Sequence, residues 1–455
     1  MSDPIAEYTL LIVESPVLAK RLQCVAPDHV VVISTGGFLW TPIYDSITGK
    51  LGKKAIPDKL PLRNELRREA TYAIKIIVAT DSDPSGDFIA WTIHNDLKQS
   101  TILRGHLTSV SRSALLQLLL DASEIDFSAL YKRLQNRFNI RHLWSEAYPG
   151  VSMKNAGLIA LFGSPVEIST FRTDKNQTLQ SEQPLSIMSI DSYIEIERSS
   201  ETQWLTCLPL STFDSVASLQ QSSEGGSYSD AQNLLQKTYE ATNPRTDEGL
   251  ITYPRTEHRT FFDDTWHDLQ KQWIKKRSIN EFIPDTLRER LQSHEAHDAL
   301  RPVNLNLTPD WVETHMASDI GHTYREIYNH TMRCIKMPEP AASTFQQTDG
   351  HSFFKSATQI DEPRLKVTPC LSVAELGYQL CKLGVLRPSG FGSFIDDAII
   401  SKKIIVSKKG DVSPGPGMLP QMDLGQRFSE ILINLRSVAD NPALKDETIR
   451  HILSS

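Results

Sequence analysis

Two short apolar runs near the N-terminus, each followed by acidic residues, constrain the fold more than any other feature. Leu10–Val13 ends at Glu14. Ile74–Ala79 is followed, after one residue, by Asp81 and Asp83. Nearly continuous apolar runs of this length, separated by helical stretches, indicate a parallel sheet that is covered on both faces. Because ligands of such sheets bind beyond the carboxyl ends of the strands, we expect the three carboxylates to share one crevice.

These carboxylates predict a site for a divalent cation. Mg²⁺ prefers hard oxygen ligands and commonly uses one or two carboxylates together with water and substrate phosphate. Acidic residues at strand ends are often solvated loop residues, and for a single Asp-x-Asp that interpretation would be the better one. Two strands that bring the same chemistry to one edge of a sheet favour Mg²⁺ as a cofactor.

A tyrosine close to an arginine supplies a candidate nucleophile. Tyr253 lies within Gly249–Thr256, two residues before Arg255. A phenol is a weak nucleophile near neutral pH, because its pKa of about 10 leaves it protonated. A fixed cation stabilises the phenolate and can also hold a phosphate for attack. Most Tyr-x-Arg triplets are packing or surface accidents, so the pair gains weight only from other parts of a phosphoryl-transfer site.

A third segment offers a histidine and a second arginine. His297 and Arg301 are four residues apart, so on a helix they would lie on the same face and could hold a phosphate together. A single helical histidine is more often structural or exposed, and no neighbouring residue decides between the two interpretations.

Together these segments resemble those of the type IA DNA topoisomerases, in the same order along the chain. Val13–Pro16 and Ala79–Gly86 resemble the two motifs of that family's Toprim domain. Gly249–Thr256 matches the family's nucleophile motif, Gly-Leu-Ile-Thr-Tyr-x-Arg-Thr, at every fixed position. Residues 296–302 resemble its Ala-His-Glu-Ala-Ile-Arg-Pro motif, and Leu383–Ser389 is similar to its Leu-Gly-Ile-Gly-Arg-Pro-Ser. The chain is thus identified as a divergent member, for which we expect no zinc ribbons.

The resemblance implies a multidomain fold of the α/β plus mainly α class, in which a Toprim parallel-sheet domain precedes a toroidal core with a β-rich arch. The implied domains are a Toprim metal-binding domain at 1–130, a mainly helical single-strand DNA-binding domain at 131–182 and 371–455, the arch at 183–225 and 338–370, and the strand-cleaving tyrosine domain at 226–337. Alternating apolar and polar residues in Pro184–Glu197, with a partner near Thr344–Ile360, agree with strands in the arch.

The resemblance also implies an isomerase that cleaves, passes and reseals strands without ATP, through a 5′-phosphotyrosine intermediate. Tyr253 would be the nucleophile, with Arg255, His297 and Glu14 as the other catalytic residues. Glu14, Asp81 and Asp83 would hold Mg²⁺. The implied partner is single-stranded DNA or underwound duplex DNA, and the implied DNA-binding residues are Arg141, Lys154, Asn155, Arg301 and Arg387.

Three departures from the family's pattern predict weaker chemistry. Leu18 stands where members usually carry a lysine near the scissile phosphate, and Ser85 replaces the third Toprim acid. Asn155 replaces an arginine that binds DNA. These changes keep open a catalytically weakened homologue that binds single-stranded DNA or a partner protein. A Toprim nuclease or primase, in which Tyr253 would be incidental, is a further alternative.

Composition fits a cytoplasmic protein, associated with the nucleoid in a bacterium. The 48 Lys and Arg against 55 Asp and Glu give a net charge of −7, so DNA binding would depend on a local basic groove. The cations around residues 132–154 lie near Trp144 and Tyr148, and Phe391 follows Arg387, so we expect bases to stack on these rings. No apolar run approaches the about 20 residues of a membrane span. The five cysteines include no Cys-x-x-Cys pair, a pattern of reduced structural thiols rather than a zinc ribbon.

Overall fold

A computed structural model describes residues 8–81, 83–97, 101–107, 112–188, 192–222, 226–246, 248–275, 277–283, 298–418 and 423–455. The chain divides into two compact units. The first contains Met1–Gly150, Tyr239–Tyr253 and Asn434–Ser455, and the second contains Val151–Thr238 and Pro254–Ile433. The segment that ends at Tyr253 therefore packs in the same unit as the acidic strand ends. The four-domain division remains a prediction.

The elements up to residue 150 are strands and helices that alternate except at the three consecutive strands after the first helix. The strands are β1 (Tyr8–Val13), β2 (Val30–Ser34), β3 (Trp40–Asp45), β4 (Lys50–Ala55), β5 (Ala73–Val78), β6 (Ile102–Arg104) and β7 (Ser123–Glu124). The helices are α1 (Pro16–Val25), α2 (Leu60–Tyr72), α3 (Pro84–Leu97), α4 (Arg112–Asp121) and α5 (Phe127–Ala147), with a 3-10 turn at Pro57–Lys59.

The later elements are mainly helical around a group of strands. The strands are β8 (Pro165–Thr173), β9 (Thr178–Met188), β10 (Ile194–Arg198), β11 (Trp204–Leu205), β12 (Glu339–Pro340), β13 (Ser343–Gln347), β14 (Phe353–Ser356), β15 (Arg364–Pro369), β16 (Ile404–Val406) and β17 (Val412–Pro414). The helices are α6 (Met153–Gly163), α7 (Thr212–Ser222), α8 (Tyr228–Glu240), α9 (Asp263–Ile274), α10 (Pro309–His315), α11 (Ser318–Ile335), α12 (Val373–Lys382), α13 (Phe391–Ile400), α14 (Gly425–Ala439) and α15 (Asp446–Ser454), with 3-10 turns at Ile279–Glu281 and Pro388–Gly390. Among the described helices, none has both the length and the apolar character that crossing a membrane requires.

The first unit is built on a five-stranded sheet in the order β2-β1-β5-β6-β7. The first four strands are parallel, and β7 is antiparallel to β6. Leu10 of β1 lies opposite Val31 of β2 and Ile76 of β5, and it is fully buried. The parallel sheet predicted from the two apolar runs is confirmed. Burial on both faces explains why these strands carry almost no polar residues.

Two helices of this unit begin directly after the strands that end in acidic residues. Ser15 caps α1, because its hydroxyl accepts a hydrogen bond from the Leu18 N–H at 3.3 Å, and Pro16 occupies the first turn. Asp83 has the same role for α3, since its Oδ1 accepts from the Gly86 N–H at 2.8 Å. Both caps hold the chain at the carboxyl edge of the sheet.

The second unit contains a closed barrel in the order β10-β13-β14-β9-β8-β15. Its core includes Phe171, Phe345 and Phe354, all of which are fully buried. Strands β10 and β13 are antiparallel, with Ile196 opposite Gln347, so the strands predicted from the alternating segments are confirmed. Closure gives each of the six barrel strands two neighbours, so the barrel has no edge strand.

Candidate functional site

Glu14, Asp81 and Asp83 lie at the carboxyl ends of the neighbouring strands β1 and β5. All three residues are half-buried. Their oxygen atoms are not drawn into one tight cluster, because no three acidic ligand atoms among the described residues lie within 4.8 Å of one another. Carboxylate oxygens are nevertheless the hard donors that Mg²⁺ prefers, and the ion often contacts only one or two of them directly.

Gly86 allows the loop after β5 to close tightly. A Cβ at this position would collide with the backbone of Asp81. The Thr80 hydroxyl donates a hydrogen bond to the Gly86 carbonyl at 2.8 Å and fixes the same turn. The Toprim-like Asp-x-Asp-x-x-Gly pattern thus has a steric cause here, since only glycine permits this approach.

Arg104, at the end of β6, is a site residue that the motifs did not reveal. Its Nη1 donates to the carbonyls of Val78 (3.2 Å) and Thr80 (2.7 Å), and its Nη2 donates to the Asp81 carbonyl (2.8 Å). Nη2 also lies 3.5 Å from Asp87 Oδ1. The side chain is almost completely buried, so Arg104 braces the loop that carries the predicted metal ligands. The sequence signal that could have identified Arg104 is its place as a cation at the end of the short apolar strand β6.

Asp87 lies in an environment that disfavours its charge. Burial raises the pKa of this carboxyl above its usual value, and nearby Asp83 raises it further. Arg104, Arg137 and Arg133 act in the opposite direction. Burial is the largest of these effects and the arginines offset it only in part, so a bound cation would stabilise the charged carboxyl further.

Tyr253 follows a hairpin whose backbone is well fixed. The Leu250 N–H donates to the Ala241 carbonyl at 3.2 Å, and both Leu250 and Ile251 are fully buried. Tyr253 itself is half-buried. Its ring meets that of Tyr239 edge to face, with centroids 5.8 Å apart at 82°. Buried neighbours on both sides thus hold the phenol in a defined place.

The chain after Tyr253 is held by Thr212 at the start of α7. The Thr256 N–H donates to the Thr212 hydroxyl, and the Thr212 N–H donates to the Thr256 carbonyl, both at 2.8 Å. Both threonines are buried, and Arg255 between these contacts and the tyrosine is half-buried. These two hydrogen bonds at Thr256 therefore fix the backbone directly after Arg255.

Arg259, three residues after Thr256, is held by two acidic residues of the second unit. Arg259 donates from Nε and Nη2 to the two carboxylate oxygens of Asp214, each at 2.9 Å, and lies 3.3 Å from Glu375. Its guanidinium carbon lies 5.1 Å from the ring centroid of Tyr378. The pKa of Asp214 is lowered, because Arg259 and the Ser211 donors outweigh the effect of burial. We interpret Arg259 as a structural anchor.

Arg21 of α1 is a second cation that the motifs did not reveal. It lies three residues after Leu18, and such a pair shares one helix face. Leu18 is buried, and Nη1 of Arg21 is buried with no hydrogen-bond partner among the residues that the structure describes. Burial lowers the pKa of the Arg21 guanidinium, whereas Glu240 and Tyr239 raise it. A cation is therefore present close to the ring that contacts Tyr253.

Among the predicted DNA-binding residues of the second unit, Asn155 is uncharged, but it contacts the positively charged Lys403. Asn155 Oδ1 accepts a hydrogen bond from Lys403 Nζ at 2.9 Å. Lys154 is exposed, with its Nζ 5.5 Å from the ring centroid of Phe394. Arg387 is also exposed. Arg141 is exposed on α5 and belongs to the first unit.

The predicted helix that would pair His297 with Arg301 is wrong at Arg301, and His297 lies outside the described residues. Arg301 follows an isolated bridge between Leu300 and Leu210. Its Nε lies 3.2 Å from Asp298 Oδ2. Pro302 explains the difference, because the residue before a proline is disfavoured in the helical conformation.

The predicted stacking on Trp144 and Phe391 is also wrong. Trp144 is 2% exposed and Phe391 is fully buried, so neither ring can receive a base. Tyr148 packs on Trp144 with centroids 4.7 Å apart, and its hydroxyl donates to the Leu453 carbonyl at 2.7 Å. Trp144 and Phe391 therefore belong to the core, and Tyr148 is half-buried against it.

Comparisons with known proteins agree with the motifs. The Toprim domain family matches residues 9–118. DNA topoisomerase 1 of Rickettsia prowazekii is 22% identical over 395 residues, which cover 71% of this chain and 50% of that protein. DNA topoisomerase 1 of Mycoplasma pneumoniae is 21% identical over 460 residues, covering 77% and 63%. The chain thus spans about half the length of the Rickettsia relative.

A solved structure is similar over almost the whole chain. Full-length topoisomerase I from Thermotoga maritima superposes with a TM-score of 0.63 at 17% sequence identity, covering 98% of this chain and 89% of that one. The fold class predicted from the sequence is confirmed, as is the resemblance on which it rested.

Proposed function

We propose that this chain acts as a type IA DNA topoisomerase, the family that it resembles, and that it cleaves and reseals single-stranded DNA through a phosphotyrosine at Tyr253. One observation carries the proposal. Tyr253 and the acidic strand ends, far apart in sequence, belong to one compact unit. That grouping supplies a nucleophile and a candidate metal site for the same phosphate.

The proposed reaction is a transesterification that exchanges one phosphodiester for another. The Tyr253 oxygen attacks a backbone phosphorus, the bond to the 3′ oxygen breaks, and the 3′ hydroxyl leaves with a proton. Arg255 stabilises the negative charge that develops on the phosphate oxygens, and His297 has a supporting role. Resealing reverses these steps without ATP, because the phosphotyrosine conserves the energy of the broken bond.

Glu14, Asp81 and Asp83 are proposed to hold Mg²⁺. The cation would neutralise phosphate and carboxylate charge at the acidic edge. Arg104 keeps Asp81 in place through its carbonyl, and the Asp83 carboxylate stays oriented because it caps α3. Glu14 has a second, catalytic role in the proposal. From its place between β1 and α1, its carboxyl group would exchange a proton with the leaving 3′ oxygen.

Arg21 is proposed to supply the charge that Leu18 lacks. The two residues share one face of α1, and the Arg21 guanidinium interacts electrostatically with Tyr239, whose ring contacts Tyr253. Because Arg21 as a whole is only half-buried, its guanidinium could turn to bind a phosphate oxygen.

Each unit is proposed to offer its own cations to DNA phosphates. Lys154, Arg387 and the Asn155–Lys403 pair serve the second unit, and Arg141 serves the first. Arg301 is proposed to contact a phosphate after leaving Asp298. Such contacts release counterions, so affinity should fall steeply with salt in spite of the chain's negative charge.

A covalent trapping assay tests the function directly. A labelled single-stranded oligonucleotide is incubated with the protein, which is then denatured, and adducts are counted for the parent, Tyr253→Phe and Tyr72→Phe. Tyr72 is a matched control, because it is a half-exposed tyrosine of the same unit. Adducts from the parent and the control, but not from Tyr253→Phe, support the proposal.

The other outcomes separate the alternatives. Free ends without adduct would identify a Toprim nuclease. Strand binding without adduct or free ends would identify a binding protein, for which Leu18, Ser85 and Asn155 are the motivation. Relaxation of negatively supercoiled plasmid, with and without Mg²⁺, then establishes whether cleavage is coupled to strand passage.

A further inference from the structure

Two cysteines and a histidine meet in the second unit, and none of the three is a residue proposed for DNA cleavage. Cys207 lies two residues after β11, whereas His330 and Cys334 are on α11. The spacing of four residues places His330 and Cys334 on one helix face. Their three ligand atoms lie within 4.8 Å of one another, the one such group of His, Cys, Asp or Glu atoms among the described residues.

The distances are close to those of a tetrahedral zinc site. Zn–S bonds of about 2.3 Å and Zn–N bonds of about 2.0 Å place neighbouring sulfur and nitrogen ligands about 3.5 Å apart. Cys207 Sγ lies 3.3 Å from His330 Nε2. A small outward movement of the ring would therefore make room for the ion.

The surroundings suit a thiolate-rich metal site. Cys334 is 1% exposed and belongs to the core that includes Trp266, Trp273 and Phe282, and Cys207 packs against the same core. Low polarity on this side strengthens the attraction between a cation and two thiolates. On the other side His330 lines a pocket of about 280 Å³, from which a water molecule can reach the fourth position.

One existing contact must be exchanged when a metal binds. His330 Nε2 lies 2.7 Å from the Leu208 carbonyl, to which it donates a proton in the neutral tautomer. Metal binding moves that proton to Nδ1, where Arg333 Nη2 now lies at 3.4 Å. Arg333 is exposed, so it can turn towards solvent without cost to the core.

We propose that Cys207, His330 and Cys334 bind one Zn²⁺, with water as the fourth ligand. Two soft sulfur donors and an imidazole select zinc over the hard Mg²⁺ of the acidic edge. Three protein ligands and an open fourth position make a weaker, exchangeable site than a four-cysteine cage.

The position of the site indicates its role. β10 and β13 belong to the barrel, and the chain leaves it through β11 and returns through β12, which pair with each other. Cys207 follows β11, and Cys334 precedes β12 by five residues. The ion would thus link the segment after β11 to helix α11, which leads into β12. This link would stiffen the connection between the barrel and the helices of the second unit.

Metal titration of the full chain tests the site without reference to DNA cleavage. Reduced protein, stripped with chelator, is titrated with Co²⁺ as a spectroscopic substitute for Zn²⁺. We expect one equivalent to give thiolate-to-cobalt charge transfer and the visible bands of tetrahedral cobalt. Zn²⁺ should displace the Co²⁺ and raise the Tm, whereas excess Mg²⁺ should do neither.

Matched variants assign the ligands. Cys207→Ser and His330→Ala should each weaken Co²⁺ binding by more than about a hundredfold, because losing a direct ligand costs more than losing a residue that only orients one. Cys24→Ser and His322→Ala are the controls, since both residues are exposed and lie outside the cluster. They should bind Co²⁺ like the parent.

Three results would overturn the proposal. They are the absence of charge transfer in the reduced parent, an unchanged spectrum in Cys207→Ser, and oxidation of Cys207 and Cys334 to a disulfide in place of metal uptake. None of these outcomes bears on Tyr253, so the zinc site and the cleavage reaction stand or fall separately.

Discussion

Replacement of Arg104 by methionine should destabilise the acidic edge strongly, because Arg104 is a buried cation with three carbonyl acceptors and one carboxylate neighbour. Methionine fills much of the same volume, so the loss is mainly electrostatic. Breaking a buried ion pair by removing one partner commonly costs about 3–5 kcal/mol. For a unit of this size that corresponds to a decrease in Tm on the order of 10 °C.

The Asp87 partner makes the expectation sharper. Once Arg104 is gone, burial raises the pKa of Asp87 with less opposition. An acid with a raised pKa in the folded state stabilises the fold below its unfolded pKa and loses that contribution as pH rises through the folded pKa. The destabilisation by Arg104→Met should therefore be larger at pH 7 than near pH 4. Asp87→Asn should remove most of that pH dependence.

Thermal unfolding of the parent, both single variants and the double variant supplies the measurement. The double variant should be more stable than additivity predicts, by about 1–3 kcal/mol, because neither charge is left alone. Arg67→Met is the control, since Arg67 forms an exposed pair with Asp96 that is worth at most about 1 kcal/mol. Additive effects within about 0.5 kcal/mol would show that Arg104 does not act through Asp87.

Three further predictions concern the proposed chemistry. Arg21→Gln should slow adduct formation about a hundredfold to a thousandfold, as for loss of an oxyanion donor, and an unchanged rate would exclude Arg21 as the substitute cation. Asp81→Asn should shift plasmid relaxation to higher Mg²⁺ and impair resealing more than cleavage, which quantitation of persistent adducts would detect. Lys403→Met should weaken oligonucleotide binding for all sequences alike and reduce the salt slope by about one, whereas sequence-dependent loss would contradict a phosphate contact.

The sheet and the barrel could be predicted because their signals are local. The apolar run Leu10–Val13 has the length and composition of a buried parallel strand, and the alternation in Pro184–Glu197 has the period of a strand with one buried face. Composition alone is a poorer guide at Ser218–Ser222, where polar residues favour a surface loop. Helix α7 continues to Ser222, because Phe213 and Leu219 bury one face of it and tertiary packing overrides weak propensity.

The residues that the sequence analysis did not identify act through contacts with residues that are distant in sequence. Arg104 contacts a loop 24 residues earlier, and Lys403 reaches Asn155 across 248 positions. The Cys207–His330 contact spans 123 positions. Cysteine spacing detects only ligands that come in close pairs, so an absent Cys-x-x-Cys says nothing about a site that the fold assembles.

The departures from the family's motifs therefore have to be judged in space. Position 18 has lost a cation, yet Arg21 presents one on the same helix face. Position 155 has lost another, and Lys403 donates directly to the asparagine found there. If charge near the phosphate determines the rate, these replacements should leave cleavage largely intact. For Ser85, which is exposed at the start of α3, we identify no acidic replacement among the described residues, since the nearby Asp87 pairs with Arg104. The weakened step should then be the metal-dependent one, so this chain should accumulate cleaved complex at Mg²⁺ concentrations at which a relative with the third acid reseals.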